Sequence, residues 1–208
     1  MTPERPVLRW PAPEPLAELL AGVLVGLVLL AWVAAWRGTL AGGWPQALLT
    51  QSGQFAYLLL GASCLVGPLI GTRWLPGWLN ASVKTGWHGL LSGFALTLGA
   101  IHGLFSLVGE RALPLAGALV PGLASRQTLE IGLGTAALWL LALVYLSWAL
   151  RRRLGLRAAR ALHLLAYPAF MAATLHGLWL GHGGLQYPLL SVGVGLALAA
   201  RLVTLARR

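Results

Sequence analysis

Residues 88–102 read HGLLSGFALTLGAIH, and residues 163–176 read HLLAYPAFMAATLH. Each is a run of apolar and small residues without a single Asp, Glu, Lys or Arg, closed at both ends by a histidine. About 20 mostly apolar residues cross the hydrocarbon of a bilayer as a helix. An ionisable side chain at that depth is expensive and marks function by default. The two stretches therefore predict two membrane-spanning helices, each carrying one histidine at each of two depths.

Reading outward from them, six stretches are long and apolar enough to span: 16–36, 53–72, 86–108, 130–150, 160–181 and 187–206. Gly/Pro-rich or charged breaks separate them: Gly42-Gly43-Trp44-Pro45, Arg73 to Gly77, Pro114 to Arg126, the Arg151–Arg160 run, and Gly181 to Pro188. Of the 208 residues 58% are apolar and 10% charged, against about 25% charged in soluble domains. The expected fold class is an all-α integral membrane protein, a bundle of six transmembrane helices. Residues 1–15, rich in proline, form a cytoplasmic tail, and residues 16–208 form one membrane domain. The first apolar run is as long as a full span and reads as a retained helix, not a cleaved signal.

The net charge of +10 does not point to nucleic acid, because the basic residues fall between the apolar runs. Arg5, Arg9, Arg73, Lys84, Arg151, Arg152, Arg153, Arg157, Arg160, Arg201, Arg207 and Arg208 lie on one side of the expected topology, and Arg37, Arg111 and Arg126 on the other. Basic residues favour the cytoplasmic side, which puts both termini there, as an even number of spans requires. The expected location is the plasma (inner) membrane, multi-pass, with the lipid bilayer as the first partner. Trp36, Trp44, Trp74 and Trp78 read as interfacial anchors. The lone Cys64 excludes an intrachain disulfide, and the absence of C-x-x-C-H excludes covalent heme attachment. No internal repeat stands out.

His88 and His102 are 14 residues apart and His163 and His176 are 13 apart, about 20 Å along a helix in each case. The two helices run in the same direction. His88 then pairs with His163 at an inner level and His102 with His176 at an outer level. A tetrahedral zinc site wants three or four ligands at one depth, and each level here offers two. Two facing imidazoles suit the axial positions of a porphyrin that brings its own four nitrogens. A 13-residue step misses the same helix face by roughly 140°. A distortion near Pro168 is therefore expected to re-aim one imidazole. Apolar packing by Leu96, Leu98 and Phe170 would separate the levels. Arg73, Lys84 and Arg160 would meet heme propionates at the inner level, Arg111 and Arg126 at the outer. The Arg151–Arg157 cluster reads first as a topology and headgroup signal, and second as a docking face for an acidic flavoprotein. His182, just past the fifth helix, reads first as a solvated loop residue. Glycines 89, 93, 99, 103, 177 and 181 are expected to allow close approach of a flat ligand or a neighbouring helix.

The paired histidines, with Ile131-Gly132-Leu133-Gly134-Thr135-Ala136-Ala137, Arg151-Arg152-Arg153-Leu154-Gly155-Leu156-Arg157, Ala161-Leu162-His163-Leu164-Leu165-Ala166-Tyr167 and Leu175-His176-Gly177, resemble the ferric reductase-like transmembrane domain of ferric reductases and NADPH oxidases. The resemblance covers the third to fifth helices and extends to the rest by topology. It implies transmembrane electron transfer through b-type heme, two hemes or one, held by His88, His102, His163 and His176 as axial ligands of the iron. It implies an oxidoreductase, or an electron-transfer subunit of one, taking electrons from a cytoplasmic flavoprotein, reduced flavin or quinol. The acceptor would be ferric iron, oxygen or a reductase partner outside. Larger relatives carry a flavin and nicotinamide domain that this sequence does not reach, so any flavin would sit on a separate partner. A smaller relative with the same six-helix layout is the heme-binding membrane subunit of a periplasmic methionine sulfoxide reductase. That relative is expected to carry fewer histidines on its third helix, and His88 counts against it. A reading from another class, a non-redox metal or proton transporter or scaffold, would want a carboxylate-lined path. The sequence contains no aspartate, and Glu18 and Glu130 lie near helix ends.

Overall fold

The computed structural model describes residues 14–39, 43–70, 72, 87–109 and 111–206, with the side chains of the first helix described at Val23 and from Gly26 onward. Most of the expected tail, Arg73, Trp74, Trp78 and Lys84 lie outside the described residues, which contain helices and no strand. The helices are α1 (Glu14–Trp36), α2 (Trp44–Leu69), α3 (His88–Phe105), α4 (Leu115–Leu119), α5 (Thr128–Ala149), α6 (Arg151–Leu154), α7 (Leu156–His163), α8 (Ala166–Trp179) and α9 (Gln186–Ala206). Among the described residues, five stretches are long and apolar enough to cross a membrane: α2, α3, α5, α7 with α8, and α9. In α1 the described apolar part is Gly26–Trp36.

Three expectations about these elements need correction. The second helix begins at Trp44, nine residues before the expected 53, with Pro45 in its first turn. Proline is at home there because the first helical N–H groups have no partner to lose. Gln46, Thr50, Gln51, Ser52 and Gln54 dilute the hydropathy of that turn and hid the helix. The Arg151–Arg160 run is helical, and Gly155, at φ +82°, makes the bend between α6 and α7. An L side chain is strained in that region and glycine is not. Finally, α1 starts at Glu14, inside the stretch expected to be tail.

The fifth span is interrupted where its histidine spacing required. Helix α7 stops at His163, and α8 starts at Ala166. Between them Leu164 and Leu165 donate to carbonyls three residues back, Ala161 and Leu162, at 3.2 and 3.0 Å. Pro168, in the first turn of α8, has no N–H to give to Leu164, whose carbonyl accepts from Tyr167 at 3.2 Å instead. The tighter winding of this turn changes the azimuth between His163 and His176.

Helix α2 packs along α3, α5 along α7 and α8, and α9 along α2, with α3 also meeting α5 and α2 meeting α8. Tyr57, Leu60, Cys64, Ala95, Leu141, Phe170, Tyr187 and Val194, drawn from five of the helices, form the central core. Many large apolar side chains face outward, among them Leu30, Phe55, Trp87, Trp139, Leu189 and Leu196. Lipid tails are as apolar as these side chains, so association rests on close packing and interhelical hydrogen bonds, each worth about 0.6 kcal/mol on average. Tyr57 Oη and Thr174 Oγ1 are 3.1 Å apart between α2 and α8, and Ser63 Oγ and Ser92 Oγ 2.8 Å apart between α2 and α3. Trp32 Nε1 donates to Leu104 O at 2.8 Å and ties α1 to α3.

Candidate functional site

The first residue of α3 is His88, and His102 lies in its last turn; α7 ends on His163, and His176 lies in the last turn of α8. The fold brings them together in the pairs that depth predicts. The ring centroids of His88 and His163 are 5.9 Å apart, with planes at 64°; those of His102 and His176 are 6.0 Å apart, with planes at 84°. Two imidazoles bonded through nitrogen at about 2 Å on opposite sides of one metal ion hold their ring centres roughly 6 Å apart. Among the described residues no group of three or more His, Cys, Asp or Glu side chains is placed to hold a metal ion. Each level thus offers two nitrogen donors, and any remaining donors must come with the ligand. A porphyrin fits that donor set, and a bare tetrahedral ion does not.

Hydrogen bonds orient the His102–His176 level firmly. His102 Nδ1 is 2.8 Å from Leu49 O, and His176 Nδ1 is 2.7 Å from Glu130 O. A carbonyl only accepts, so both protons sit on Nδ1 and both Nε2 lone pairs are free for a metal. At the other level, Ser63 Oγ lies 3.3 Å from His88 Nδ1. His163 Nδ1 is buried and has no hydrogen-bond partner among the described residues. Its ring packs at 5.6 Å from Trp148, over which the Arg151 guanidinium lies at 5.2 Å.

A cavity of about 510 Å³ opens between α2, α3, α5 and α8. His102 and His176 line it, with Gly53, Gly99, Gly103, Gly134 and Gly177 along its helical walls. Arg111, Arg126, Gln46, Gln54 and Gln127 provide polar lining. Arg126 also donates to Arg111 O, which closes the loop that carries both cations. These are the two arginines expected at this level. His182 is exposed and lines the same cavity. Arg160 is exposed on α7, three residues before His163. The core between the levels includes Ala95, fully buried at 0% exposure, with Phe170 and Tyr57 stacked at 5.6 Å and Tyr187 tilted against Tyr57 at 4.7 Å. Of the residues expected there, Phe170 is buried and Leu96 packs against this core, while Leu98 is half-buried.

No family model matches the chain, and no solved structure matches it. Among curated proteins, it is 30% identical over 185 residues to the protein-methionine-sulfoxide reductase heme-binding subunit MsrQ of Rhodospirillum rubrum, over 88% of this chain and 86% of that relative. The chain belongs to the MsrQ family. That family is ferric reductase-like, as the motifs between residues 131 and 176 suggested. The weight that His88 carried against this family is thereby corrected: the chain keeps His88 and still falls within it.

Within this MsrQ-family fold, several residues carry geometry that the sequence reading passed over. Gly53 and Gly134 abut His102 and His176, and Gly67 approaches His88. The expected glycines have other neighbours. Gly93, Gly99, Gly103 and Gly177 admit Tyr145, Leu138 and Tyr187, while Gly89 and Gly181 face open space. A signal did exist for the missed pair. Gly53 and Gly134 are helical glycines in spans without a bend at either point, where glycine costs about 1 kcal/mol against alanine and needs a packing reason.

Proposed function

We propose that this chain is the heme-binding membrane subunit that delivers electrons to a periplasmic methionine sulfoxide reductase. The observation that carries this reading is the likeness to a heme-binding subunit of that reductase along nearly the whole chain, together with two facing histidine pairs on the same helices. The ferric reductase reading, with ferric iron or oxygen as acceptor, gives way to it because the likeness names a reductase partner.

His88 with His163, and His102 with His176, would each hold one b-type heme through its iron. When bound, heme supplies a one-electron carrier whose potential the protein tunes through ligand hydrogen bonds and burial. The Nδ1 contacts of His102 and His176 fix their tautomer and leave Nε2 to the iron. Arg111 and Arg126 would meet propionates at that level, and Arg160 at the other. Ala95, Leu141, Phe170 and the Tyr57–Tyr187 pair exclude water between them. Helix α1 is the first of six spans, both termini are cytoplasmic, and the His102–His176 level faces the periplasm of an inner-membrane protein. Electrons enter from a separate flavoprotein, a reduced flavin or quinol.

The test is an absorption spectrum of the purified chain, oxidised and dithionite-reduced, with heme quantified per chain. It is followed by mixing the reduced protein with an oxidised periplasmic methionine sulfoxide reductase or with a ferric chelate. Low-spin b-type heme that is reoxidised faster by the reductase is the expected result. Absence of heme, in protein made with heme available, overturns the reading. Faster reoxidation by the ferric chelate returns it to a ferric reductase.

A further inference from the structure

The two walls that hold the His102–His176 pair are built alike. On α2, Leu49 O meets His102 Nδ1, and the residue one turn later is Gly53. On α5, Glu130 O meets His176 Nδ1, and the residue one turn later is Gly134. Leu49 and Glu130 are 81 positions apart, as are Gly53 and Gly134. A Cβ at Gly53 would stand 2.6 Å from His102 Nδ1, and one at Gly134 would stand 2.6 Å from both Nδ1 and Cε1 of His176. Neither ring is free to retreat, since the nitrogen that would be struck is the one bonded to the carbonyl. In each helix the same carbonyl stands four residues before the glycine and so also faces its helical N–H, and Leu49 O accepts from Ser52 Oγ at 3.2 Å as well.

We propose that Gly53 and Gly134 are the positioning residues of the His102–His176 pair, each a missing side chain that seats an imidazole on the helix carbonyl one turn earlier. The two together form a duplicated latch that aims both Nε2 atoms at one point. The main chain of a packed helix, unlike a rotatable side chain, fixes the ring in both tilt and tautomer. Outer partners of this kind set the orientation and basicity of a ligating histidine, and their loss costs roughly 10–100-fold in metal affinity. The proposal rests on the heme reading above.

The test compares Gly53→Ala and Gly134→Ala with Gly61→Ala and Gly193→Ala in the full-length, heme-loaded protein. At the last two positions a Cβ would stand 2.6 Å from Leu190 Cδ1 and 2.7 Å from Leu65 Cδ1, a close approach to a leucine methyl in place of a histidine ring. The readouts are heme affinity and the electron paramagnetic resonance of the oxidised protein, with signals assigned through His88→Ala. In Gly53→Ala and Gly134→Ala, the low-spin signal of the His102–His176 level should shift or vanish, with affinity there lowered by roughly 10–100-fold. The His88–His163 signal should persist in the same sample and report a folded chain. Gly61→Ala and Gly193→Ala should keep both signals. Unchanged signals in the first two variants overturn the latch, as does equal damage in the second two or loss of both signals in a monodisperse chain. A wild-type chain that takes up no heme overturns the heme reading instead, so the two failures are distinct.

Discussion

The two histidine levels have nearly the same ring separation, 5.9 and 6.0 Å, and they use the same helix systems. They differ in what stands behind the rings. At the His102–His176 level both imidazoles rest on main-chain carbonyls at 2.8 and 2.7 Å, beside a cavity with two arginines in its lining. At the His88–His163 level one imidazole has a serine hydroxyl at 3.3 Å, and the other nitrogen is buried without a partner among the described residues. A pair can therefore be set at a ligating distance in two ways. One is orientation imposed by the backbone, and the other is proximity alone, with a side chain left to adjust.

The largest effect that would break the comparison comes from the ligands themselves. His102→Ala should abolish low-spin heme at its own level and leave the other signal, and His88→Ala should do the reverse. Heme per chain, with the reduced-minus-oxidised spectrum, reads the outcome. Loss of both hemes in both variants would mean that the levels are one cooperative site. Next in size is Pro168→Ala. The restored N–H can pair with Leu164 O and regularise the turn before α8, which brings back the roughly 140° error of a 13-residue step. The His88–His163 signal should weaken while the His102–His176 signal stays. The smallest effect sharpens the contrast. Ser63→Ala removes a single hydroxyl, worth about 1 kcal/mol, so one midpoint potential should move by about 40 mV in a redox titration and the other should not.

Much of this was legible in the sequence because charge and apolarity are side-chain properties. The HGLLSGFALTLGAIH stretch gave both its span and its paired depths, and the mismatch of 13 residues with helical pitch pointed to a distortion beside Pro168. The structure has that break at Leu164–Leu165. What escaped was carried by groups with no side-chain signature. The carbonyls of Leu49 and Glu130 belong to residues whose own side chains play no part in the contact. The glycines that seat the rings lie on α2 and α5, remote in sequence from the histidines. The start of α2 was missed because the amides that line the cavity, Gln46 and Gln54, are the same ones that lower its hydropathy. The likeness between α2 and α5 involves so few positions that no repeat stood out.

The interruption between α7 and α8 has a mechanical consequence. His88 and His102 ride on one continuous rod, whereas His163 and His176 ride on two segments joined by a short coupling. A load that shifts α7, whose exposed face carries Arg157 and Arg160, is borne at the His88–His163 gap. The turn at Leu164–Leu165 separates that segment from the one that carries His176, and α5, packed along both, is the continuous element that joins them.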